Sequence, residues 1–288
     1  LFLQHTYLVV VAKTIAAHVL EITPADAEAA LSGAPLADMG ITGAVEADFF
    51  DWVLRSAAGA TLVMRLLRHT ARLRLRAVGD DVMKRVYESL IPREERYRLG
   101  EYYTPDWLAS RVVRAAVPEP LAQRVLDPSC GSGTFLFHAV RHFLAAAETA
   151  GWDDRRAVAG CVNRVQGLDV HPVAVILARV TWLLAVGVEK LRARPPVFSV
   201  PVFLGDALQV NVRNVVGERE LAVPVPGEAR PLLIPGSLTE DQARFDHIVS
   251  EMTRMVEEGA PAATFKAWIK RQGAEEAEGN ALADTYGR

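Results

Sequence analysis

The sequence predicts an α/β fold, a parallel sheet wound with helices, preceded by a helical N-terminal domain. Three observations lead there: short β-branched runs that each end in an acid, helical stretches between them, and a first third that reads as helices with short breaks. With 288 residues, half of them hydrophobic, the chain can bury one large core or two ordinary ones. The formal net charge of -3 and pI near 6.2 lack the basic excess of a compact nucleic-acid module, so any such contact would rest on a locally basic face. Cys130 and Cys161 are too few for a disulfide framework and lack metal-ligand spacing, which fits a reducing, cytoplasmic setting.

Residues 1–95 form the expected helical N-terminal domain. Its most apolar stretch, "YLVVVAKTIAAHVLEI", is interrupted by Lys13 and His18 well short of the roughly twenty apolar residues of a membrane span, so it reads as a buried helix. Thr23 followed by Pro24 reads as a helix start, and "SAAGA" as a later interruption. Arg65, Arg68 and Arg72 recur at helical spacing, with Arg74 and Arg76 close behind: a ridge that would suit DNA phosphates, or simply a solvated helix face.

From about residue 96 the pattern alternates. "RVLD" (124–127), "VQGLDV" (165–170) and "PVFLGD" (201–206) read as strands, with helices between the first two and from Pro172 to about Val188. Such alternation implies parallel strands joined by right-handed crossovers, whose ligands sit at the carboxyl ends where all three acids fall. Residues 211–288 form a third segment. Its Val-, Pro- and Gly-rich start to about 237 reads as an irregular arm. A helical hairpin follows: Thr239 can cap a helix striped by Phe245, Ile248, Val249, Met252, Met255 and Val256, and a second helix carries Phe265, Trp268 and Ile269.

"LDPSCGSGTFLFHAV" carries the chemistry. A strand ends at Asp127, Gly131 and Gly133 permit a tight turn with close backbone approach, and a helix runs from Thr134. A dinucleotide would bring an anionic pyrophosphate against Asp127, and Leu136 stands where the third glycine of its fingerprint belongs. S-adenosylmethionine presents an ammonium and a sulfonium instead, for which an acid at the strand end is favourable. Asp169 can accept both hydroxyls of a ribose but lies far beyond the spacing of about 20 residues of the dinucleotide pattern. Asp206 can accept from an exocyclic adenine amine. Each acid alone reads as a surface or capping residue; three at successive strand ends beside a glycine loop read as a site.

"RLGEYYTPDWLASRVV" (98–113) places Thr104 as an N-cap and Pro105 as the first residue of a helix that Pro118 stops. The free N–H groups of a helix start suit the carboxylate of S-adenosylmethionine. Tyr102 and Tyr103 could offer ring faces to the sulfonium or adenine. A capped helix with tyrosines filling a groove would read the same in isolation.

Together, "LGEYYTPDWLA", "VLDPSCGSGTFL", "GLDVHPVAVILAR" and "PVFLGDAL" resemble the N-6 adenine-specific DNA methyltransferases of restriction-modification and phage-defence systems. The order, with Tyr-Thr-Pro upstream of the glycine loop, is similar to that of gamma-class, type I and type IIG enzymes, and the resemblance covers about residues 85–210. It implies a Rossmann-like, S-adenosylmethionine-dependent methyltransferase sheet over residues 96–210. It implies that Glu101, Tyr102, Tyr103, Thr104, Pro105 and Asp106 hold the methionine end, with Asp127, Ser129, Gly131, Ser132, Gly133 and Thr134 forming the loop around it. Asp169 would bind the ribose, and Asp206 with Ala207 the adenine. His171 stands where the family often has Asn or Asp.

The family's catalytic motif, Asn-Pro-Pro followed by an aromatic, occurs nowhere in the 288 residues. In the family its Asn side chain and a proline carbonyl accept the hydrogens of the target amine, while the aromatic stacks on a flipped base. "RFDHIVS" (244–250) tempts one to see the strand before that motif, but its continuation keeps a helical stripe. The leucine start and the missing motif predict a fragment cut at both ends, with residues 211–272 an insertion. The expected partners are duplex DNA and a specificity, nuclease or translocase subunit or domain. A cofactor-binding or assembly subunit that needs another chain, or a methyltransferase acting on RNA or protein, is the alternative; a dehydrogenase is disfavoured by the loop.

Overall fold

The computed structural model describes residues 1–73, 82–92, 94, 104–208, 211–215, 218–223, 231–239, 242–274 and 276–286. Glu101, Tyr102, Tyr103, Arg74 and Arg76 lie outside the described residues. The chain divides into two compact units, Leu1–Ala207 and Leu208–Arg288.

The first unit begins with α1 (Phe2–Val19), α2 (Ala27–Ser32), α3 (Ala34–Ala37), strand β1 (Ile41–Thr42), a 3-10 turn (Phe49–Arg55), α4 (Ala57–Thr70) and α5 (Val82–Leu90). From Leu8 to Ala17 α1 is buried on every side, as a stretch made mostly of Leu, Val, Ile and Ala dictates. Thr23 is not the cap of α2; Asp26 is, its side chain accepting the Ala29 N–H at 2.8 Å, because the helix starts only at Ala27. "SAAGA" proves to be a helix start, where the Ser56 hydroxyl caps α4 by accepting the Gly59 N–H. The α4 positions Arg65 and Arg68 are exposed, as is Arg72 just beyond.

Lys13, the interruption noted in the apolar run, is only 1% exposed. Its ammonium donates to the Leu31 and Glu46 carbonyls at 3.0 and 2.8 Å and to Asp51 Oδ1 at 2.7 Å, and pairs with Asp48 Oδ2 at 3.0 Å. Asp48 and Asp51 also form the capping box of the 3-10 turn. A buried cation with this many partners joins α1, α2 and the 43–55 segment rather than tilting the helix toward solvent.

The alternating part continues with α6 (Asp106–Ala116), β2 (Val125–Asp127), α7 (Thr134–Thr149), α8 (Asp154–Arg164), β3 (Val165–Asp169), α9 (Pro172–Val186), α10 (Val188–Leu191), β4 (Phe198–Ser199) and β5 (Val202–Leu204). β2, β3 and β5 pair in parallel in that order, Asp127 opposite Gly167 and Asp169 opposite Leu204, so the three expected strands form one small parallel sheet. β1 and β4 form a second parallel pair, Ile41 opposite Phe198. One hydrophobic core runs from Leu8 and Ile15 of α1 through Phe137 and Phe143 of α7 to Trp182 of α9 and Val202 of β5. Burying each such side chain contributes about 1.5–3 kcal/mol. Trp182 also donates its indole N–H to the Val165 carbonyl at 3.2 Å, fixing α9 on β3.

In the second unit, β6 (Asn211–Val215), β7 (Glu218–Val223) and β8 (Leu232–Pro235) form an antiparallel sheet. The expected irregular arm thus contains strands: Val, Leu and Ile recur in them, a strand-favouring content that the nearby prolines and glycines masked. α11 (Gly236–Thr239), α12 (Gln242–Glu257), α13 (Ala262–Arg271) and α14 (Glu276–Tyr286) follow, so "RFDHIVS" is helical. Leu238, Ile248, Met255, Phe265, Ile269 and Leu282 form this unit's own core. None of the described helices is long and apolar enough to cross a membrane.

Candidate functional site

The carboxyl ends of β2 and β3 and the turn 128–133 converge. Asp127 ends β2, and its Oδ1 accepts the Ser129 N–H at 3.3 Å, which folds the chain back over the strand end. Its Oδ2 is buried and has no hydrogen-bond partner among the described residues. Burial raises the Asp127 carboxyl above its ordinary value; the Ser129 N–H opposes this, and the nearby Asp169 adds to it. Cys130, buried behind the turn, has its thiol pushed up by burial and by the charges of Asp127 and Asp169, so it stays protonated and is no nucleophile.

The two loop glycines do different things. Gly131 has φ +55°, and a Cβ placed there would meet nothing within 4 Å, so its backbone faces open space. Gly133 has φ +96°, and a Cβ there would lie 3.1 Å from the Ala178 Cα and the Thr181 Cβ of α9, so it permits close packing. Ser132 and Thr134 are buried, Ser129 is exposed, and α7 begins at Thr134 with Gly133 at its cap position.

Asp169, 9% exposed, ends β3 and ties the loop. Its Oδ2 accepts the Gly131 N–H and its Oδ1 the His171 N–H, each at 2.8 Å. An ionised carboxylate has about four acceptor positions, so two remain. His171 caps α9, its Nδ1 3.4 Å from the Ala174 N, and its ring meets that of His5 edge-on at 5.6 Å. Beyond β5, the Gly205 N–H donates to the Asp169 carbonyl at 2.9 Å, which brings the exposed Asp206 and half-buried Ala207 to the same end of the sheet.

The Thr-Pro motif differs from expectation by one residue. α6 starts at Asp106, with Pro105 at the N-cap position at φ -57°, ψ 140°, and Thr104 makes no cap. Pro105 itself is extended rather than helical, so the helix begins one residue later than the motif suggests. The Thr104 carbonyl instead accepts from Lys84 Nζ at 2.6 Å, and the same ammonium lies 3.3 Å from Asp106 Oδ2. His138 Nε2 stands 3.4 Å from Asp106 Oδ1. Lys84 thus holds the start of α6 with His138 close by, and the linear sequence carries no signal for either.

The fold and site define an α/β protein with a glycine turn and acidic strand ends at the carboxyl edge of a parallel sheet. Residues 78–189 match the family model of the N-6 DNA methylases, which bears out over that segment the likeness expected from the motifs. A stretch of 115 residues is 30% identical to the adenine-specific methyltransferase PglX of Streptomyces coelicolor (strain ATCC BAA-471 / A3(2) / M145), covering 37% of this chain and 10% of that protein. The chain therefore spans about a tenth of the length of that relative. No solved structure matches the chain significantly.

Proposed function

We propose that the chain is the S-adenosylmethionine-binding portion of a DNA adenine N6-methyltransferase of a restriction-modification or phage-defence system. The observation that carries this reading is the pairing of Asp127 Oδ2, a buried acceptor with no partner among the described residues, with the open space over Gly131. A carboxylate beside a closely approachable backbone suits an ammonium and repels a pyrophosphate. The methylase family match and the relative's adenine-specific name support the acceptor.

In this reading Asp127 and the 129–134 turn hold the amino end of the cofactor, and Glu101 to Asp106 its carboxylate. Asp169 uses its two remaining acceptor positions for the ribose, and Asp206 with Ala207 meets the adenine. The cofactor supplies an electrophilic methyl group; the protein residues described here bind and orient it. Calorimetry tests the reading: S-adenosylmethionine binds the wild-type chain, and Asp169→Ala weakens binding sharply. Unchanged affinity in that variant would remove the ribose assignment.

A second reading, a cofactor-binding subunit completed by another chain, is favoured by the absence of Asn-Pro-Pro from the sequence and by an open sheet edge. β2 pairs only with β3 among the described residues, and Leu126 is 59% exposed there. Under either reading, the chain alone transfers no methyl group to duplex DNA. Measured transfer of labelled methyl would overturn that statement.

A further inference from the structure

α5 brings a buried lysine from the N-terminal domain onto the start of the Thr-Pro helix. Met83 and Tyr87 of α5 and Ile91 just beyond it sit in the main core, and the Gln4 side chain donates to the Leu90 carbonyl at 2.9 Å, so the N-terminal domain sets where this helix lies. Lys84, also buried, projects from it. Its ammonium donates to the Thr104 carbonyl at 2.6 Å and to Asp106 Oδ2 at 3.3 Å, across 20 and 22 residues of sequence. Holding both atoms fixes the chain that enters α6 and the carboxylate at its first residue. That place lies beside the glycine turn: His138, about one helical turn past Thr134 on α7, stands 3.4 Å from Asp106 Oδ1.

We infer that Lys84 is a positioning residue for the carboxylate of S-adenosylmethionine: it holds the Thr-Pro start in shape and offsets the Asp106 charge there. The inference rests on reading the chain as a binder of that donor, and it assigns part of the binding to the N-terminal helical domain. Electrostatics supplies the reason. The amino-acid end of the donor carries an ammonium and a carboxylate, and the acids at the strand ends, Asp127 and Asp169, favour the first and oppose the second. Asp106 adds a further negative charge at the first residue of the helix whose backbone N–H groups suit a carboxylate. A cation held on Asp106 cancels that repulsion. The Lys84 side chain is 9% exposed and that of Asp106 32%, so salt screens this pair less than a surface pair. Lys84 acts through Thr104 and Asp106 and is assigned no contact with the donor itself.

The test compares two ligands by calorimetry: S-adenosylmethionine, and decarboxylated S-adenosylmethionine, which keeps the sulfonium and the ammonium but lacks the carboxylate. Both are titrated into the same sample of each variant, so the ratio of the two affinities does not depend on how much of the sample is folded. In Lys84→Met the ratio should move against S-adenosylmethionine by about ten- to a hundredfold, the range of a lost charge-assisted hydrogen bond, while affinity for the decarboxylated ligand stays near wild type. Lys84→Gln keeps an N–H donor in this buried place but not the charge; it should show the same loss, and it carries the test if Lys84→Met does not fold. Lys84→Met/Asp106→Asn should recover part of the ratio, because the uncompensated carboxylate is gone. An equal fall for both ligands would make Lys84 a structural residue alone and overturn the inference. So would a ratio unchanged in both single variants. A wild type that binds neither ligand removes the donor reading and this inference with it; a wild type that binds both, with a ratio indifferent to Lys84, removes the inference alone.

Discussion

Asp169 Oδ2 accepts the Gly131 N–H at 2.8 Å, while its Oδ1 accepts the His171 N–H at the same distance. One carboxylate thus joins the end of β3, the glycine turn and the start of α9. The residue expected to touch a ribose also builds the loop that would hold the rest of the ligand. Asp169→Asn replaces one acceptor by an NH₂ group and leaves one buried N–H facing a donor, at a cost of about 1–3 kcal/mol. The variant should therefore lose several degrees of melting temperature with no cofactor present, as well as binding S-adenosylmethionine more weakly. A ligand-free melting temperature equal to wild type would show that the carboxylate serves the ligand alone.

Asp127 should trade stability against binding in a pH-dependent way. Burial, first, and Asp169, less, raise its folded-state carboxyl above its ordinary value of 3.8. The protonated form is therefore favoured in the folded state, and stability is lost as pH rises from 3.8 through the raised folded value. Asp127→Asn removes that loss. Its unfolding free energy, measured by urea titration without cofactor, should exceed wild type at pH 7, with the advantage vanishing toward pH 3.8. The same variant should bind S-adenosylmethionine poorly at every pH.

The loop glycines predict opposite phenotypes. Gly131→Val places a side chain in open space and at φ +55°, so it should cost about 1–2 kcal/mol of backbone strain, leave a folded chain and abolish cofactor binding. Gly133→Ala drives a Cβ to 3.1 Å from the α9 backbone and should lower stability first. Melting curves paired with calorimetry distinguish the two; retained S-adenosylmethionine affinity in Gly131→Val would mean that nothing approaches the loop from that side.

Much of the parallel sheet was legible because its cues are local. Each strand is a short apolar run ending at Asp127, at Asp169 or just before Asp206, and Gly131 and Gly133 punctuate the turn between strand and helix. At the Thr-Pro motif the reading slips by a residue: Thr104 is a good capping side chain and Pro105 a good first helical residue, but Pro105 is extended and takes the cap position itself. Long-range partners were invisible. Nothing near Lys84 announces that it will meet Thr104 and Asp106, and nothing near Ile41 announces its pairing with Phe198.

The Lys13 knot yields the largest expected stability effect. In the sequence Lys13 only broke an apolar run; in the fold its ammonium has two carbonyl and two carboxylate partners while 1% exposed. Burial raises the Asp51 carboxyl despite the hydrogen bond from Lys13, so the pair sits in a poorly solvated place. Lys13→Met keeps the packing volume but leaves Asp51 and the Leu31 and Glu46 carbonyls without their cation, a loss of about 3–5 kcal/mol. Asp51→Asn in the same chain removes the stranded charge and should recover part of that loss. Urea unfolding of the wild type, both single variants and the double variant measures the coupling directly. Additive losses would show that Lys13 is held by the carbonyls and Asp48 rather than by Asp51.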